Sequence, residues 1–208
     1  MIAATSPVLG ERFTGALDLA FELHRGQTRK GSAVPYFGHL LGVTSIVIES
    51  GGSEDEAIAA LLHDAVEDQG GYATLERIRA EFGQQVATIV EELSDSFGDP
   101  KPPWRERKQG YLEHLEDASQ ASLLVSLADK LHNMRTILVD YRDVGEQLWS
   151  RFNAGRDEVL WYYRSLAAAF ARLRAGALAT ELGAAVAELE RLIENAIAGN
   201  ASPQNHGM

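Results

Sequence analysis

The chain has 208 residues, 45% of them hydrophobic and 24% charged, enough for one domain with a well-buried core and too apolar for disorder to be its main state. A net charge of −11 argues against nonspecific binding of DNA or RNA, and the absence of cysteine removes disulfides, Cys-ligated zinc and a thiol nucleophile. The longest uncharged apolar run, 40–48, is too short to span a bilayer, and the N-terminus lacks the basic start and apolar core of a secretory signal; the expected setting is cytoplasmic, with no membrane and no nucleic-acid partner.

Residues 11–27 read as a first helix, with Phe13, Leu17, Ala20, Phe21 and His24 recurring at helical spacing. It runs into Thr28-Arg29-Lys30-Gly31-Ser32-Ala33-Val34-Pro35, a loop by its Gly, Ser and Pro content. A second helix is expected over 37–50, stopping at Gly51-Gly52. Ser53 and Glu56 form a capping-box pattern that opens a central helix, which ends at Gln69-Gly70-Gly71.

On the central helix Ile58, Leu61, Leu62, Ala65 and Val66 fall on one apolar arc. His63 with Glu67, and Asp64 with Asp68, are i, i+4 pairs on the opposite, polar arc. One imidazole and three carboxylates crowded there repel unless solvent or a cation screens them. A short helix carrying Thr74, Arg77, Ile78 and Phe82 stops at Gly83, and another follows over 84–94. Gly98, Pro100, Pro102 and Pro103 mark 97–104 as a loop, followed by a helix over 105–117.

Residues 121–139 form a long, mostly apolar helix, and 149–197 is rich in alanine and leucine with helical periodicity. No strand-like alternation, fixed repeat or domain-sized linker is visible. The expected fold is all-α and single-domain: a tail over 1–10, a core over 11–145, C-terminal helices packed on it over 146–198, and a tail over 199–208.

The 121–139 helix carries Asp129, His132, Asn133 and Thr136 at i, i+3, i+4 and i+7, a polar stripe on an otherwise apolar segment. It is either the surface edge of an amphipathic helix or the wall of a cleft. His39, among apolar neighbours, reads alone as a hydrogen-bonded core residue. Taken together, His39, His63, Asp64 and Asp129 are two imidazoles and two carboxylates from three helices. That set suits a borderline divalent ion such as Mn, Fe, Ni, Co or Zn.

The order His39, His63-Asp64, Asp129 resembles the HD superfamily of metal-dependent phosphohydrolases. More narrowly, Arg29-Lys30 before Pro35-Tyr36, His63-Asp64 with Glu67-Asp68, and Ala128-Asp129-Lys130-Leu131-His132-Asn133-Met134-Arg135-Thr136 look like the hydrolase domain of RelA/SpoT-type enzymes. The resemblance covers about residues 22–139. It implies an HD-domain helical bundle with additional C-terminal helices, and removal of the 3′-pyrophosphate from the alarmone (p)ppGpp to give GDP or GTP and pyrophosphate. The implied metal ligands are His39, His63, Asp64 and Asp129, holding one divalent ion, usually Mn²⁺. Glu67 and Asp68 would position or deprotonate the attacking water. Arg29, Lys30, Asn133 and Thr136 would contact the guanine nucleotide.

Each role has a plainer alternative: Glu67 and Asp68 as a solvated helix end, Arg29-Lys30 as an exposed loop pair. One departure is Leu40, where the family commonly has a proline. The aromatic segment around Trp149–Arg164 is similar to one in small single-domain HD proteins, where Tyr162 and Arg164 could reach the site, although helix packing is the favoured explanation. Since the sequence stops soon after the HD-like region, a stand-alone hydrolase is expected, with a homodimer compatible. An HD phosphohydrolase acting on a nucleoside monophosphate or a nicotinamide dinucleotide phosphate is the alternative enzyme, and a nucleotide-sensing module the non-enzymatic one.

Overall fold

The computed structural model describes residues 9–94 and 102–201, and among them regular structure is helical apart from one antiparallel bridge, Thr28 with Pro35. The helices are α1 (Glu11–His24), α2 (Phe37–Glu49), α3 (Glu54–Leu62), α4 (Ala65–Asp68), α5 (Tyr72–Phe82), α6 (Gln84–Leu93), α7 (Trp104–His114), α8 (Gln120–Val144), α9 (Arg156–Leu173) and α10 (Ala177–Ala201), with a 3₁₀ turn, Gly145–Arg151, before α9. Most of the expected 97–104 loop, residues 97–101, lies outside the described residues, as do 1–8 and 202–208 of the expected tails. α8 runs past the expected end at 139, and α10 continues beyond 199.

The expected capping box at the start of α3 is present: Glu56 N–H donates to Ser53 Oγ at 3.3 Å, and Ser53 N–H donates to Glu56 Oε2 at 2.6 Å. The continuous central helix is not. It breaks after Leu62, and His63 and Asp64 form a turn before α4. His63 Nδ1 lies 2.8 Å from the Ala60 carbonyl, the acceptor a regular helix reserves for the Asp64 N–H. The side chain thus competes with the ladder where the chain bends.

The loop after α1 is more ordered than its composition suggests. Arg29 N–H donates to Val34 O and Tyr36 N–H to Gln27 O, each at 2.9 Å, so Arg29 and Lys30 sit on a small pinned hairpin. Gly31 allows its turn, with φ of +74° and Arg151 Cγ only 3.0 Å from where a Cβ would stand.

α8 is the central beam, and its two sides serve two cores. Leu124, Val125 and Ala128 join residues of α1 to α6, including Leu40, Val43, Leu61, Leu62, Leu75 and Val86. Leu123, Leu127, Leu131, Met134 and Leu138 face a second core with α7, α9 and α10, including Tyr111, Leu166, Phe170 and Leu189. α10 presents Ala179, Leu182, Val186, Leu189 and Ile193 at alternating spacings of three and four, the pattern for packing along another helix. The aromatic segment serves this second core: Tyr162 is buried edge-on against Trp104, and Arg164 pairs with Glu190 of α10, away from the site. No described helix is long and apolar enough to cross a membrane.

Candidate active site

α2 delivers His39 from its first turn, the α3–α4 bend delivers His63 and Asp64, and the middle of α8 delivers Asp129. One ligand atom each from His39, His63 and Asp129 lies within 4.8 Å of the others, and all three residues are buried. His39 Nε2 is 3.2 Å from Asp129 Oδ1, and His63 Nε2 is 3.7 Å from the same oxygen. Asp64 Oδ2 stands 3.0 Å from His63 Nε2 and 3.7 Å from His39 Nε2, and also accepts the Tyr36 hydroxyl. Asp64 therefore touches both imidazoles while sitting at the edge of the tight trio.

His63 Nε2 is buried with no hydrogen-bond partner, because Asp64 Oδ2 is near but out of line. A buried ring nitrogen left without a hydrogen bond, protonated or bare, is unfavourable by about 1–3 kcal/mol. A cation among the four groups removes that deficit, and two imidazole nitrogens with carboxylate oxygens are a donor set for a borderline divalent metal. The residues fit a divalent ion.

Without a cation, the charges settle among themselves. Burial pushes the His63 imidazole down, but Asp64 and Asp129 override it and hold His63 well above its ordinary value. Burial dominates at His39 and lowers it. Burial would raise both carboxyls, yet Lys130 and the two imidazoles keep Asp129 well below the carboxylate range, and His63 does the same for Asp64. Lys130 Nζ is 2.6 Å from Asp129 Oδ2. His132, mostly through burial and then through its neighbours His39 and Arg29, is lowered to about 4.

Two cavities open beside the cluster. The smaller, about 140 Å³, is lined by Tyr36, His63, Asp64, Glu67, Lys108, Asp129, Lys130 and Asn133 among others. The larger, about 510 Å³, is lined by Arg29, Lys30, His39, His132, Asn133, Thr136, Arg151 and Tyr163 among others. Asn133 faces both, donating to Asp129 Oδ1 at 2.6 Å and accepting from Arg29 Nη2 at 2.8 Å. Arg29 Nη1 is buried without a partner. Lys30 meets Asn153, and the Thr136 hydroxyl donates to the His132 carbonyl at 3.0 Å.

Of the two carboxylates after the bend, Glu67 lines the smaller cavity. Asp68 is not among its lining residues and accepts from Gln27 Nε2 at 2.8 Å. Leu40 is in the first turn of α2 with its side chain in the core.

Sequence reasoning assigned no role to Tyr36, Lys108 or Lys130. Lys130 carried a usable signal, since a lysine amid the apolar positions of α8 needs a counter-charge. Lys108 had none, because α7 is polar along most of its length.

An all-helical fold with a buried His-His-Asp cluster and an adjoining polar cleft defines a class of helical metal-centre proteins. Residues 16–160 match the HD domain family, and the chain belongs to it. The chain is 46% identical over 125 residues to the guanosine-3′,5′-bis(diphosphate) 3′-pyrophosphohydrolase MESH1 of Xenopus tropicalis, covering 59% of this chain and 67% of that one. It is 41% identical over the same length to the MESH1 of Homo sapiens, with the same coverage. A solved structure described as a metazoan ortholog of SpoT that hydrolyses ppGpp superposes with a TM-score of 0.70 and 26% identity, covering 86% of this chain and 96% of that one.

Proposed function

We propose that this protein is a Mn²⁺-dependent hydrolase that removes the 3′-pyrophosphate of (p)ppGpp, giving GDP or GTP and pyrophosphate. The observation that carries the proposal is the convergence of His39, His63 and Asp129 beside a small cavity that also holds Glu67, a carboxylate outside the proposed ligand set, and two lysines, Lys108 and Lys130. The similarity to MESH1 chains supports the choice of substrate.

His39, His63, Asp64 and Asp129 would hold the ion, which supplies Lewis acidity to a phosphoryl group and to the water that attacks it. Glu67 takes one proton from the water as the water oxygen bonds to the 3′ phosphorus and the bond from phosphorus to the ribose 3′ oxygen breaks; the departing oxygen takes up a proton from solvent and leaves as the free 3′ hydroxyl. Asp68 accepts from Gln27 Nε2 beside Glu67 at the end of α4. Lys108 and Lys130 offset the negative charge that builds on the 3′-diphosphate under attack. The larger cavity takes the nucleoside end, with the unpartnered Nη1 of Arg29 as a donor to it and Lys30 near a phosphate. A polyanion thus meets local cations on a chain whose net charge is −11.

The test is a product assay with Mn²⁺ and ppGpp, run beside ordinary nucleotides and resolved by ion exchange. The expected result is GDP and pyrophosphate, abolished by EDTA. Phosphate released from a nucleoside monophosphate or a nicotinamide dinucleotide phosphate, with ppGpp untouched, would keep the metal chemistry and reject the substrate.

A further inference from the structure

His39 has a second ring nitrogen, and it is not idle. Its Nδ1 lies 2.9 Å from Nδ1 of His132, with ring centroids 4.8 Å apart. A hydrogen bond between two imidazole nitrogens needs one protonated and one bare. His39 Nε2 faces Asp129 and Asp64, so a neutral ring that binds a metal there must carry its proton on Nδ1. His132 Nδ1 is then the acceptor, and the proton of His132 sits on Nε2. His63 has the matching arrangement, with Nδ1 directed to the Ala60 carbonyl at 2.8 Å.

His132 fits only because of one residue on α2. A Cβ added at Gly42 would stand 2.2 Å from His132 Nε2 and 2.4 Å from its Cδ2, far inside contact distance. Gly42 is in mid-helix, where glycine weakens a helix by roughly 0.5–1 kcal/mol relative to alanine. The helix forgoes that stability at the one turn where the imidazole of α8 crosses it.

We propose that His132 is a positioning residue for the metal centre: it fixes the tautomer and ring orientation of His39, and Gly42 is the seat that lets it do so. The proposal rests on the metal assignment above. Outer partners of this kind typically set metal affinity by roughly 10–100-fold.

The test measures Mn²⁺ affinity by titration calorimetry and the His39 tautomer by ¹⁵N NMR of the imidazoles at alkaline pH. His132→Phe keeps a ring but removes the acceptor, and should weaken Mn²⁺ by roughly 10–100-fold while the Nδ1–H form of His39 loses its dominance. His132→Asn places an amide oxygen near the former Nδ1 and should restore affinity to within a few-fold. Gly42→Ala should weaken Mn²⁺ in the wild-type background and do nothing further in the His132→Asn background, where the ring tip is gone. Wild-type affinity in His132→Phe, or equal losses in His132→Phe and His132→Asn, would overturn the proposal. Wild-type protein that takes up no Mn²⁺, or Asp129→Asn that takes it up normally, would instead overturn the metal assignment on which the proposal stands.

Discussion

A proton and a metal compete for His63. In the metal-free protein Asp64 and Asp129 outweigh burial and raise the affinity of this imidazole for a proton. A raised value means the ring is still charged at neutral pH, and a divalent ion must expel that proton to reach Nε2. Mn²⁺ affinity should therefore rise with pH until the raised value is passed, and binding at neutral pH should release about one proton. Calorimetry in buffers of different ionisation enthalpy measures the release, and a value of zero would remove His63 from the ligand set. Glu67→Gln should retain the metal and lose turnover by roughly 10²–10⁴-fold, the share of a general base. Near-normal turnover would move that role to Asp68. That His39, His63 and Asp129 come together could be expected from the sequence, because a divalent-ion site in a cysteine-free chain can draw on few residue types. The His39–His132 contact could not, because it joins residues 93 apart and depends on the crossing of α2 over α8 at Gly42.

Elements set how firmly those side chains are held. α3 is nine residues long, and its capping box fixes the end remote from His63. Ser53→Ala removes the acceptor for Glu56 N–H and should destabilise the fold by about 0.5–2 kcal/mol. Urea denaturation measures this, and Mn²⁺ affinity should be unchanged because the cap lies a full helix away from the ligands. An unchanged midpoint would mean Glu56 and solvent satisfy that end unaided. The cap was readable from Ser53 and Glu56 alone. The α3–α4 break was not, because no glycine or proline marks it. The bend comes from a side chain, His63, taking a backbone acceptor, and periodicity analysis counts side chains only by polarity.

On the scale of the whole molecule, α8 ties the site to both cores. Its Leu124, Val125 and Ala128 belong with α1–α6, while Leu123, Leu127 and Leu131 belong with α7, α9 and α10. Periodicity marked 149–197 as helical and packed on the core, but an apolar stripe does not name its partner, so the second core could not be read in advance. Because Asp129 and His132 ride on the shared helix, loss of the second core should loosen the proposed metal ligands even though no residue of α10 lines the two cavities beside them. Leu189 on α10 is fully buried in that core. Leu189→Ala should cost about 2–5 kcal/mol, from lost transfer energy and the cavity left behind. If α8 couples the two cores, Mn²⁺ release followed by electron paramagnetic resonance and helix loss followed by circular dichroism will shift to lower temperature together, in one transition. Two separated transitions, with Mn²⁺ retained after the first, would instead make α9 and α10 a unit that melts on its own, and would assign the rigidity of the site to the first core alone.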